Sequence, residues 1–268
     1  QADPHPAALL DTARSRLTTL WDREASQGLT VRIGTGRTRA TTTAAGVERD
    51  GRVDEVPIVV HLPPGNGLGI VGPREAALRV ARAALGAAVV RHGPSGLRVQ
   101  VDGDAETWEW TARLPHTASR ALTVGTRPTG RSTLLVVDCF EPATRETPQP
   151  VPPDAIVIAL APTRSALPAT ATTVIEVGEG GVSRPDMPRV TGHADVTDLV
   201  CDEVSQLWAE ELADALAPLR EAATSGQAHL PDRVRLWDLV APASGVDSPD
   251  PRPLIGATLT DLWSRRPA

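Results

Sequence analysis

This sequence predicts an α/β protein, a parallel-rich sheet with flanking helices, on three observations. Residues 134–137 and 155–160 are continuous apolar runs, the pattern of strands covered on both faces. A long alanine-rich stretch of helical periodicity, 74–91, separates the strands at 68–71 and 97–101, as a crossover helix would. Strands and helices then alternate along the chain instead of clustering by type, and that pattern is met by helices laid on the faces of one sheet. With 268 residues, 41% of them hydrophobic, the chain can bury one substantial core, or one core with a satellite subdomain.

Each element has its own local justification. Over residues 6–24, Leu9, Leu10, Ala13, Leu17, Leu20 and Trp21 recur at helical spacing and predict a leading helix. Leu29, Val31 and Ile33 alternate with polar residues up to Gly34 and Gly36, which reads as a strand running into a glycine turn. Residues 56–62 form a second strand, 63–67 a turn, and 68–71 a short strand leading into the 74–91 helix. Leu97, Val99 and Val101 alternate as the next strand, followed by an acidic, tryptophan-bearing segment over 102–116. The 134–137 run stops at Asp138; after a proline-rich connection come strands at 155–160 and 172–177. Beyond Gly192, Val196, Leu199, Val200, Val204, Leu207, Trp208, Leu212 and Leu216 make one helical apolar stripe closed by Pro218. Two short helices are expected at 234–240 and 257–263. The expected organisation is 1–53 for the leading helix and a β extension, 54–192 for the α/β core, and 193–268 for a helical exit segment.

Composition narrows the function classes. The net charge is −6, and all 27 basic residues are arginines, with no block of them along one helix. The electrostatic footprint of a duplex-DNA binder is therefore missing, and no direct nucleic-acid partner is expected. Cys139 and Cys201 fall in an apolar strand and an amphipathic helix, which suits reduced, buried thiols of the cytosol. No apolar run has the length of a bilayer span, and the N-terminus lacks a signal-peptide pattern, so no membrane insertion is expected in this segment.

The turn between 71 and 75 stands where an ATPase of this architecture would cradle phosphates. Such a loop needs glycines whose amides wrap the phosphates, a lysine for the β/γ charge, and a Ser or Thr hydroxyl for Mg²⁺. Here the chain reads Gly69, Ile70, Val71, Gly72, Pro73, Arg74, Glu75, and the whole protein contains no lysine. Pro73 removes an amide, Glu75 adds an unwelcome carboxylate, and Arg74 is expected to project outward. Asp138, at the end of the run LLVVD, has the form of a metal-side acid, with a strand-end turn cap as the bland alternative. Arg164, in ALAPTR, stands where a sensor arginine would, with a solvated loop residue as the alternative. Gly72, Arg74, Asp138 and Arg164 are thus the candidate residues of a degenerate nucleotide site. No catalytic residue, no metal site and no resident cofactor is expected, weak binding of ATP with Mg²⁺ being the competing possibility.

Trp108, Trp110 and His116 are the candidate interface residues. Indoles at i and i+2 cannot share a helix face, so one is expected in the core and the other toward a partner or a domain boundary, and the acidic neighbours Asp104, Glu106 and Glu109 would select a basic partner surface. The alternative is that both indoles are core; His116 beside Pro115 invites an acid–base reading, but no second titratable group stands at a recognisable spacing, and a structural hydrogen-bonding histidine is expected instead. The histidines and cysteines show no metal-ligand spacing, and neither GxSxG nor a complete GxGxxG occurs, although Gly34, Thr35, Gly36 begins one.

Longer runs carry a resemblance. LGIVGPREAALRVARAALGAAVVRHGPSGLRVQV followed by WEWTARLPHT resembles the region preceding the ATPase modules of membrane-anchored FtsK/SpoIIIE-type proteins, EccC of actinobacterial type VII secretion among them. WDRE followed by VRIGTG is similar to the family's approach from its transmembrane helices, and AEELADALAPLR, LPDRVRLWDLV and DLWSRRPA to its passage into the first catalytic module. Thr111, Ala112 and Arg113 depart from the pattern, standing where family members often carry a basic residue and another Trp. The resemblance implies a piece of a longer membrane-anchored ATPase, lying at the cytoplasmic face of the cell membrane with a degenerate P-loop-ATPase-like fold. Its implied partners are the neighbouring ATPase modules of the same chain and membrane-complex subunits. Three functions stay open: a non-catalytic structural or regulatory domain, a weak ATP-binding or ATPase domain with Arg74 or Arg164 in the lysine's role, and an interaction domain of a DNA translocase.

Overall fold

The computed structural model describes residues 4–17, 19–23, 28–44, 47–117, 131–140, 152–178 and 196–220, without the side chains of 39–44 and 47–50. The short helices expected at 234–240 and 257–263 lie outside the described residues. Five strands, β3 (Gly67–Val71), β4 (Leu97–Asp102), β5 (Ser132–Asp138), β6 (Ile156–Ala161) and β7 (Thr173–Glu176), form one sheet in the order β4-β5-β6-β3-β7. Every pairing in it is parallel. The expected α/β class with a parallel sheet and flanking helices is the one observed, and its five strands are those expected around Leu68, Val99, Val136, Val157 and Ile175, two of them read from doubly buried runs. Counted in chain order the strands stand 5-1-4-3-2, unlike the 3-2-1-4-5-6 order of dinucleotide-binding folds. The chain leaves β3 for the far edge, fills the sheet back through β5 and β6, then steps across β3 to β7.

Helix α2 (Arg74–Arg91) has the bounds its periodicity predicts, and 15 of its 18 residues are buried. Its alanines explain how: small side chains let elements approach it from several sides, so it packs against β3 and β6, and also against β1 (Leu29–Ala44) of a second sheet. That sheet pairs β1 antiparallel with β2 (Val47–Leu62) and with β8 (Thr197–Cys201). Leu29, Val31, Ile33, Ile58, Val60 and Leu62 alternate inward and bury themselves in the common core. The boundary expected after residue 53 falls inside β2.

Helix α1 (Pro6–Ser15) is shorter than its periodicity suggests, because Arg16 turns left-handed (φ 48°, ψ 47°) and its amide bonds back to Thr12. Gly34 and Gly36 make no turn. The strand runs through them, and a Cβ on Gly34 would fall 2.0 Å from the Val200 carbonyl oxygen, so glycine lets β8 lie against β1. The stripe expected from 196 to 216 is likewise divided. Its first part is β8, and the helix begins only at α3 (Gln206–Leu216), where the Ser205 side chain accepts from the Trp208 amide. Leu207 is 64% exposed and lies off the buried stripe of Ala209, Leu212, Ala213 and Leu216. Cys201 therefore ends a strand and Cys139 follows one; neither is in a disulfide among the described residues.

Candidate functional site

Ligands of open α/β sheets bind outside the carboxyl ends of the strands, where strand order reverses. Gly72, Asp138 and Arg164 follow or end β3, β5 and β6 on that edge, and Arg74 opens α2 beside them.

The β3–α2 connection consists of Gly72 and Pro73 alone. Gly72 has φ 154°, and a Cβ there would stand 2.2 Å from the Val177 carbonyl oxygen. Its amide donates to the Ala161 carbonyl at 3.2 Å, and the Val177 amide donates to the Val71 carbonyl at 2.7 Å. The turn is thus pinned between β6 and the residue after β7. A phosphate cradle is a concavity of several convergent, uncommitted amides; here one amide is spent and the next residue has none.

Asp138 closes the edge from the other side. Its side chain is 0% exposed and Arg74, 37% exposed, bends to it from the first turn of α2, with Nη2 at 3.5 Å from Oδ2. The expectation that Arg74 projects outward is corrected: a buried carboxylate draws the nearest guanidinium, and strand order brings the two together. The Trp108 indole N–H donates to the same Oδ2 at 3.4 Å, and the Phe140 amide to Oδ1 at 3.1 Å. Both oxygens therefore have partners, one cationic, under an aromatic cover. Burial, then the carboxylates of Asp138 and Asp102, push the Cys139 thiol above its ordinary range, so it is a poor nucleophile. Arg164 opens a 3-10 turn, Arg164–Ala166, and is solvent-exposed. Gly72, Arg74 and Asp138 converge; Arg164 shares only their edge. Among the described residues no group of three His, Cys, Asp or Glu side chains could hold a metal ion, and no helix is long and apolar enough to cross a membrane.

The tryptophan segment lies beneath the surface. Trp108 is 3% and Trp110 2% exposed, their rings 6.4 Å apart, so the expectation that one indole faces a partner is corrected. The reason is local. Trp108 precedes the 3-10 turn Glu109–Arg113 with φ −111° and ψ 11°, so the α-helical spacing rule does not govern the pair, and both rings turn inward. His116 is fully buried as well, which takes its ring away from any interface. Its Nε2 lies 2.7 Å from the His92 carbonyl, to which it donates, and Trp21 stands edge-on to it at 6.0 Å. Burial lowers the pKa of both His116 and His92 to about 4. His116 is thus a neutral hydrogen-bonding strut and not an acid–base group.

Three contributors escaped the sequence. Trp21 (φ 60°) donates from its indole to the Val89 carbonyl at 3.1 Å and from its amide to the Val90 carbonyl at 3.0 Å, fastening the leading segment to the end of α2. Arg220 donates to the Ala112 and Leu114 carbonyls at 2.6 and 2.7 Å. Arg113 pairs with Asp214 of α3 at 2.8 Å. No local pattern could have found them, since each depends on an element distant in sequence.

No protein-family model matches this sequence, and no curated protein matches it. Among solved structures the chain is similar to the cytoplasmic domain of the type VII secretion ATPase EccC of Thermomonospora curvata, at 13% identity over 78% of this chain and 34% of that one, with a TM-score of 0.45. ATPases 2 and 3 of the same EccC, in complex with a signal sequence peptide, align at 15% identity over 78% of this chain and 52% of that one, with a TM-score of 0.41. ATPases 2 and 3 of EssC from Geobacillus thermodenitrificans align at 13% identity over 80% and 53%, with a TM-score of 0.38. The chain spans about a third to a half of the length of these proteins.

Proposed function

We propose that this chain is a non-catalytic structural and regulatory domain of a larger membrane-anchored translocase of the FtsK/SpoIIIE type, of the kind that serves type VII secretion, and that it couples ATPase modules to a membrane complex. The observation that carries the non-catalytic half is the Arg74–Asp138–Trp108 cluster. The carboxylate that a nucleotide's Mg²⁺ would require is buried, paired with a guanidinium and roofed by an indole. The lysine is absent and the turn is too short to wrap a phosphate. Arg164 remains exposed at the same edge, but a single guanidinium without a cradle or a metal-side acid does not make a triphosphate site.

The translocase half rests on the sequence resemblance over both ends of the chain, and with it come the neighbouring ATPase modules and membrane-complex subunits as partners and the cytoplasmic face of the membrane as location. Trp108, Trp110 and His116 then support a docking surface from beneath and contribute no direct contact. Isothermal titration of the full chain with ATP and Mg²⁺ tests the non-catalytic reading: no heat of binding is expected at micromolar ligand. Micromolar, Mg²⁺-dependent affinity that disappears in Asp138→Ala would overturn it.

A further inference from the structure

Residues 108–117 touch three parts of the molecule at once. Toward the exit side, Arg220 bonds the carbonyls of Ala112 and Leu114, and Arg113 pairs with Asp214 of α3. Toward the leading segment, His116 meets the ring of Trp21. Toward the sheet edge, the Trp108 indole bonds Asp138, which in turn meets Arg74 and the Phe140 amide. Between these ends the segment is braced internally: Thr111 Oγ1 donates to the Trp108 carbonyl at 2.7 Å, and Thr117 Oγ1 to the Thr111 carbonyl at 2.6 Å. A piece of chain so braced moves as a unit.

Its anchorage is uneven. The exit-side bonds are made by exposed or part-exposed arginines, which water competes for. Inside, the Trp110 indole N–H is buried with no hydrogen-bond partner among the described residues, a donor whose burial unsatisfied is unfavourable and which regains a partner in water when the segment lifts. Trp108, Trp110, Leu114 and His116 are buried and hold the segment to the core; the unpartnered indole offsets part of that, and the exit-side bonds close the segment from outside.

We infer that residues 108–117 are a strap over the Asp138 edge of the sheet, latched by Arg220 and by the Arg113–Asp214 pair, so that displacement of α3 and residues 217–220 uncovers Asp138. Exposure of the Asp138 edge would then report the position of α3. This goes beyond the non-catalytic reading and does not depend on it, since the strap either opens or stays shut whether or not a nucleotide binds.

Hydrogen exchange on this 268-residue chain tests it, read at two positions that Arg220 does not touch: the Trp108 indole N–H and the Phe140 amide, both bonded to Asp138. In Arg220→Ala both are expected to exchange at least tenfold faster, with the amides of β6 unchanged. Unchanged exchange at the two positions, or a rise matched in β6, would overturn the latch. Should Arg220→Ala fail to fold, Asp214→Asn, which removes only an exposed ion pair, is read by the same criteria with a smaller expected acceleration of two- to fivefold. An Asp214→Asn chain that exchanges like the parent at both positions overturns it equally.

Discussion

Replacing Arg74 by Ala would leave the Asp138 carboxylate buried with two neutral donors and no cation. At 3.5 Å, two unit charges attract by about 5 kcal/mol at an effective dielectric near 20. Arg74 is more than one-third exposed, so water screens the pair and the usable part is less than half of that, roughly 2 kcal/mol. The loss is still larger than for a surface pair, because the carboxylate side of it cannot be rehydrated without lifting Trp108. Arg74→Ala is therefore expected to lower the unfolding free energy by about 2 kcal/mol at neutral pH, read from urea midpoints at constant m-value. Asp138→Asn removes the charge that needs Arg74 while keeping the shape. In that background the same Arg74→Ala change is expected to cost less than about 0.5 kcal/mol, leaving a coupling of roughly 1.5 kcal/mol in the double-mutant cycle. Equal costs of Arg74→Ala in the two backgrounds would refute the ion pair as what neutralises Asp138, and with it the main physical ground for the non-catalytic reading.

Two further perturbations follow from the same core. His92 and His116 titrate near 4 when folded and near 6.5 when unfolded, so between these values the unfolded chain binds more protons. Their contribution is complete above about pH 6.5 and is lost as pH falls toward 4, by at most about 3 kcal/mol for each histidine. Urea midpoints followed from pH 7.5 to 4.5 should fall accordingly, and His116→Gln, which keeps a donor for the His92 carbonyl, should flatten the slope between pH 6.5 and 5; an unchanged slope would contradict neutral burial. Trp110→Ala is expected to cost about 3–5 kcal/mol, seen as a large drop in melting temperature, whereas a variant that melts like the parent would return Trp110 to the surface.

How much of this was legible in the chain differs from element to element. The bounds of α2 and the presence of the five parallel strands could be read because apolar runs, alternation, turn signals and a long helical period are carried by neighbours along the sequence. The segment 196–201 could not, since Val196, Leu199 and Val200 fit helical spacing, and a five-residue strand is too short for periodicity to contest it; pairing with Gly34, Thr35 and Arg37 decided it. The glycines of β1 show the same limit, for the missing side chain serves a neighbouring strand and not a local turn. At the candidate site, the absent lysine, the single-proline turn and the strand-ending aspartate were plain in the sequence and already argued against a working phosphate loop. That Arg74 turns inward to neutralise Asp138, that both tryptophans are core, and that Arg220 fastens the segment carrying them were settled by contacts between residues far apart in the chain. Sequence periodicity determines which face of an element is apolar; which partner covers that face, and which charge meets which, is set only when strand order and close packing bring distant elements within bonding distance.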